Sequence, residues 1–228
     1  MNEQHIQHEN LVRKLCDDTV RESYENQCAS VSVPFVARLL GSILVFLGNT
    51  VYGKAPSYGK FKAIEIIARI PYQSWEAAAY TLVSAFHENE EHALKLAKLS
   101  TFSRLAQDNE TMHVVVISHL AKEHKQTGFF RFTLLPVLFA FFYYWVTYAL
   151  YFISKKNAFM LNYVFEDHAY AQYSEFLKRE EHHLRGHSIH SHFLTFYGRT
   201  VSDEYELFQT IRNDELIHRN ESLARAGH

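Results

Sequence analysis

Four glutamates and two histidines fall in a fixed order along the chain: Glu65, then Glu110 with His113, then Glu166, then Glu215 with His218, roughly fifty residues apart. A Glu, a Glu-x-x-His, a Glu and a second Glu-x-x-His form the ligand set of a carboxylate-bridged pair of metal ions inside a four-helix bundle. Residues three apart on a helix project to the same side, so one metal can take both members of each Glu-x-x-His, and the unpaired glutamates can bridge. Carboxylate and imidazole donors without thiolate suit redox-active iron, or manganese, better than structural zinc. Six ionisable groups on apolar helix faces would be costly to bury without a cation. The order therefore predicts two iron ions.

The apolar context agrees. Phe61, Glu65, Ala68, Tyr72 and Trp75 form one helical stripe, and Asn162, Glu166, Ala169, Tyr173 and Phe176 another. Leu94, Lys98, Phe102, Leu105, Glu110, His113, Ile117 and Leu120 form a third, and Phe208, Ile211, Glu215, His218 and Ser222 a fourth. Spacing alone is weaker, because 19 Glu and 15 His would place roughly one Glu-x-x-His by chance and the chain holds three. The third, Glu180 with His183, lies in a Lys-Arg-Glu-Glu-His-His run and reads as a solvated helix end.

Scarce glycine and proline, with apolar residues at three- and four-residue spacing, give an all-α fold class. Helices are expected near Leu11–Tyr24, Pro34–Tyr52, Ser57–Phe86, Glu88–Lys122, Phe132–Ile153, Asn157–Glu181 and Ser202–Ala224, with a His-rich connector at His182–His192. Residues 1–33 read as an N-terminal arm and residues 34–228 as a single helical-bundle domain. A net charge of -2 offers no basic field, so nucleic acid is not expected as a partner. Cys16 and Cys28 make no disulfide framework, and the first thirty residues show no import address.

Phe132–Ile153 carries no charge over 22 positions and passes a length test for crossing a membrane. Were it to cross, Glu110 and Glu166 would lie on opposite sides of the bilayer and could not share metals. The expectation is instead that it and Pro34–Tyr52 embed in one leaflet, a monotopic arrangement. Tyr143, Tyr144, Trp145, Tyr148 and Tyr151, with Lys54, Lys60, Arg131, Lys155 and Lys156, are expected as interfacial anchors.

At the ligand positions the sequence resembles the alternative oxidases, most of all their plastid terminal oxidase branch. Ile64-Glu65-Ile66-Ile67-Ala68-Arg69-Ile70-Pro71-Tyr72 is similar to the family's Leu-Glu-Thr-x-Ala-Arg-Val-Pro-Tyr. Asn109-Glu110-Thr111-Met112-His113 resembles its Asn-Glu-Arg-Met-His, and Phe165-Glu166-Asp167-His168-Ala169 its Leu-Glu-Glu-Glu-Ala, with Tyr173 seven residues after the ligand. Arg212-Asn213-Asp214-Glu215-Leu216-Ile217-His218 resembles its Arg-Ala-Asp-Glu-Ala-His-His.

The resemblance implies a ferritin-like di-iron bundle acting as a cyanide-insensitive, non-proton-pumping quinol oxidase. Ubiquinol or plastoquinol would be the reductant, O2 the oxidant, membrane lipid the surroundings and a homodimer the assembly. It departs from the family at Ile66, at Lys60, where arginine is usual, and at Gln172, where threonine is usual. Tyr173 is expected as an oxidisable side chain, Asn109 and Asp214 as partners orienting the imidazoles, and Lys60, Arg69 and Gln172 as contacts for the quinol headgroup. A membrane di-iron hydroxylase and a non-catalytic ferritin-like iron-binding bundle are the alternatives. Localisation is expected on the cytoplasmic face of a prokaryotic inner membrane.

Overall fold

Every expected run is helical, though not always as a single helix, in the computed structural model, which describes residues 3–28 and 31–227. The element order is α1 (Glu3–Lys14), α2 (Asp18–Asn26), α3 (Phe35–Tyr52), α4 (Tyr58–Ala68), α5 (Ile70–Ala85), α6 (Glu90–Glu123), a π-helical turn (Phe130–Leu134), α7 (Leu135–Ile153), α8 (Lys155–Arg185), α9 (His192–Phe196) and α10 (Glu204–Ala226). Among the described residues there is no strand, only an isolated bridge between Ser188 and Asp203.

Two expected helices are broken. The run over Ser57–Phe86 divides at Arg69, because Pro71 in the first turn of α5 has no N–H to continue the α4 ladder. The run over Leu11–Tyr24 divides before Asp17, whose carboxylate accepts the Thr19 and Val20 N–H groups and starts α2 as its N-cap. α8 runs on to Arg185 and takes in the beginning of the His-rich connector, and α9 forms where no helix is expected.

The chain separates into two compact units. One holds Gly59–Ala158. Within it α5 packs against α6 and α7, with Trp75 and Phe102 edge-on to the Tyr72 ring at 5.4 and 5.7 Å. Glu76 on α5 ties to α6 through Arg104 at 3.2 Å and Gln107 at 2.7 Å. The buried stripe of α6 comprises Leu96, Ser103, Ala106, Asn109, Glu110, His113, Ile117 and Leu120, and the expected Leu94 and Lys98 are exposed. At 100° per residue Leu94 stands about 160° around the helix from Glu110, so the three-and-four template slips out of phase over this length.

The other unit holds the described residues up to Tyr58 and from Phe159 onward. Here α1 lies on α10, burying Val12, Leu15, Tyr170, Leu216 and Ile217 together. Tyr58, Phe176 and Phe208 form a second cluster, with ring centroids 5.0–5.7 Å apart. α3 approaches α8 closely at Gly41, where a Cβ would fall 2.6 Å from Val164 Cγ1.

α3 and the segment ending in α7 are each long and apolar enough to cross a membrane by length and composition. α3 exposes Phe35, Val36, Leu39, Ile43, Phe46 and Leu47; α7 exposes Leu138, Phe141, Phe142, Trp145 and Val146. Of the expected anchors, Trp145, Lys54, Arg131, Lys155 and Lys156 are exposed, but Tyr143, Tyr151 and Lys60 are buried. The helical turn carries those two tyrosines and that lysine to the packed side, so they are not interfacial anchors.

Candidate metal centre

In the Gly59–Ala158 unit, α4 presents Glu65 and α6 presents Glu110 and His113, all at most 1% exposed. A ligand atom from each lies within 4.8 Å of the other two. His113 Nδ1 is 3.3 Å from Glu65 Oε2 and 3.7 Å from Glu110 Oε2. Burial, and after it the Glu110 charge, raise the Glu65 pKa well above the usual carboxylate range, while His113 opposes the rise. Asn109, one residue before Glu110, is buried on the same helix.

In the other unit, α8 presents Glu166 and α10 presents Glu215 and His218, all buried. Again a ligand atom from each lies within 4.8 Å of the other two. The Asn162 amide, one turn before Glu166, donates to Glu166 Oε1 and to Ser222 Oγ, both at 3.0 Å. Asp214 is fully buried, with Oδ1 2.8 Å from His8 Nε2 and both oxygens bonded by Arg199. Arg199 also grips Glu9. Burial alone would lower the Arg199 pKa, but the Asp214 and Glu9 carboxylates outweigh it and raise it.

The sequence thus places three ligand candidates in each unit, and the structure brings each trio together. Glu180 and His183 behave as the polar helix end expected of them: His183 is exposed and Glu180 bonds Arg179 at 2.9 Å. Tyr173 is fully buried on α8, its ring 6.0 Å from that of Phe208, and Gln172 is buried beside it. Lys60 is buried on α4. Arg69 is half-buried in the break after α4, with its Nε enclosed and making no hydrogen bond among the described residues.

Sequence reasoning overlooks Asn162 as a carboxylate donor, although its i, i+4 spacing from Glu166 is a signal that could reveal it. His8, Glu9 and Arg199 leave no such signal, since His8 and Asp214 are 206 residues apart.

Each trio offers carboxylate oxygen and imidazole nitrogen, no sulfur, in a buried setting where like charges crowd. That donor set fits iron and disfavours a structural zinc. The chain has buried Glu/His clusters that could bind metal.

No solved structure matches the chain. The protein named ubiquinol oxidase 4, chloroplastic/chromoplastic, from Arabidopsis thaliana is 26% identical over 200 residues, covering 79% of this chain and 54% of that protein. The chain therefore spans about half the length of the curated relative it matches. This likeness is consistent with the plastid terminal oxidase branch. Residues 17–225 match the alternative oxidase family, whose members are membrane-associated di-iron four-helix bundles. With that match over most of its length, and with the family's alternation of Glu and Glu-x-x-His on α4, α6, α8 and α10, the chain belongs to the alternative oxidase family.

Proposed function

We propose that the two trios together hold two iron ions and that the chain is a quinol:oxygen oxidoreductase, reducing O2 to water without pumping protons and insensitive to cyanide. The observation that carries this is the buried trio in each unit, one Glu with one Glu-x-x-His, in the family's order. On this reading residues 34–228 work as one di-iron domain, and two chains assemble as a homodimer. The relative's name supports quinol as the reductant.

When bound, the irons supply the redox chemistry that passes electrons from quinol to O2. Two quinols each release two electrons and two protons, matching the four electrons and four protons that turn one O2 into two waters. The chain's own groups bind and orient. Asn162 holds one Glu166 oxygen and so orients the carboxylate. Asn109 and Asp214 orient the imidazoles of the neighbouring ligands. Tyr173, two helical turns and about 10 Å from Glu166 on the same face, is the oxidisable side chain. Lys60, Arg69 and Gln172 bind the quinol headgroup, and the enclosed Arg69 Nε supports a donor role there.

The exposed apolar faces of α3 and α7 support a monotopic placement in one leaflet, through which a lipid-soluble quinol enters without crossing water. A prokaryotic inner membrane draws no support from a relative named for the chloroplast, and the placement proposed is confined to one leaflet.

The test is metal analysis with oxygen uptake on purified ubiquinol or plastoquinol. Two irons per chain and cyanide-insensitive uptake without a hydroxylated product are expected. Glu110→Ala should retain the fold and lose uptake at least a hundredfold, the scale of removing an essential group; unchanged turnover in that variant would reject the proposal.

A further inference from the structure

We infer that the N-terminal helix α1 belongs to the metal-binding apparatus of this chain, with His8 as a positioning residue for the His218 imidazole. The inference rests on the proposal that His218 is an iron ligand.

α1 is fixed to the rest of its unit at both ends. His5 Nε2 lies 2.8 Å from the Tyr197 carbonyl oxygen, and Asn213 Nδ2 donates to the Val12 carbonyl at 3.1 Å. Between these anchors His8 and Glu9, both buried, face a buried guanidinium and a buried carboxylate. Arg199 donates to Glu9 through Nη2 at 2.7 Å and Nε at 3.2 Å, and to Asp214 through Nη2 at 3.0 Å and through Nη1. A planar fork bonded to two carboxylates fixes both of them in angle as well as distance.

Asp214, held in this way, contacts His8 Nε2 at 2.8 Å. The His8 ring in turn lies against the His218 ring, with centroids 6.0 Å apart and planes inclined by 32°. Asp214 and His218 are one turn apart on α10, so they share the side of the helix that α1 covers. His8 thus limits the rotations open to His218 and sets its orientation before any metal arrives. Orientation by such outer groups is what holds a metal-binding imidazole in one geometry.

The test uses the full chain carrying 15N-histidine, with His8→Ala, His8→Gln and Glu9→Gln. In the metal-free protein, H8A should shift the His218 ring nitrogen signals. Iron titration of the same variant should show affinity lower by about tenfold or more, as outer-group substitutions give. H8Q, whose amide can still donate to Asp214, should recover part of that loss. Should H8A fail to fold, E9Q carries the test: it leaves His8 in place, weakens the Arg199 clamp and should move the same signals in the same sense.

Unchanged His218 signals in H8A, or in E9Q if H8A does not fold, overturn the inference. So does a loss of iron affinity with those signals unmoved, since a purely structural cover would give that. A wild-type chain that binds no iron would reject the proposed oxidase while leaving the metal-free His218 signals to decide this point.

Discussion

Glu65 is 1% exposed, and burial followed by the Glu110 charge raises its pKa. The folded, metal-free chain therefore holds the Glu65 proton more tightly than the unfolded chain does. The associated stability is fully present below the ordinary glutamate pKa and is lost as pH rises toward the raised value in the folded state. If Glu65 is an iron ligand as proposed, bound iron favours the ionised form and removes this dependence. Urea unfolding of the chelator-treated protein should thus show stability falling as pH is raised from about 4.5, with a shallower dependence in iron-loaded protein. Equal pH slopes in the two forms would contradict this account. The proposed ligands could be picked out at this scale because a carboxylate or imidazole recurring on an apolar stripe is a pattern within one helix. The clamp around Asp214 was not, since Glu9 and Arg199 stand 190 residues apart and only folding juxtaposes them.

Helix existence in the long runs was likewise legible from periodicity, whereas the short α9 was not. Both interruptions do carry a signal, Pro71 as a helix breaker and Asp17 as an N-cap residue, but the helical periodicity continuing on either side conceals them. The π-helical turn Phe130–Leu134 ahead of α7 has no periodic signature distinguishing it from an ordinary helix over so few residues. α7 packs against α5, and burial shows which way its faces turn. Tyr143, Thr147, Leu150 and Tyr151 turn inward and leave Phe141, Phe142 and Trp145 outward. If those three enter lipid, each contributes roughly 1.5–3 kcal/mol of transfer free energy when fully buried. Phe141→Ser, Phe142→Ser and Trp145→Ser combined should therefore lower partitioning onto phosphatidylcholine vesicles by at least tenfold in a flotation assay. Iron content should be unaffected, because these side chains point away from the packed side of α7. Wild-type flotation of the triple variant would remove α7 from the membrane-binding face.

Across the whole chain, the proposed ligands divide three and three: Glu65, Glu110 and His113 in one compact unit, Glu166, Glu215 and His218 in the other. The linear order of the motifs could not disclose that division, because the unit holding Glu166, Glu215 and His218 is assembled from both ends of the sequence. If both trios serve the same pair of irons, metal binding must link the stabilities of the two units. A ligand bound only by the folded form stabilises it by RT ln(1 + [L]/Kd), about 2.7 kcal/mol at a hundredfold excess over Kd. Calorimetry should therefore show the iron-loaded chain unfolding at a higher temperature and in one transition. Chelation should lower the midpoint by several degrees and broaden or split the transition as each unit responds to its own buried carboxylates. Glu110→Ala and Glu215→Ala each remove a proposed ligand from a different unit, so on this reading each should abolish the iron-dependent rise for the whole chain. A variant that lost the rise in its own unit alone would mean that the trios bind metal independently, and the shared di-iron centre would have to be abandoned.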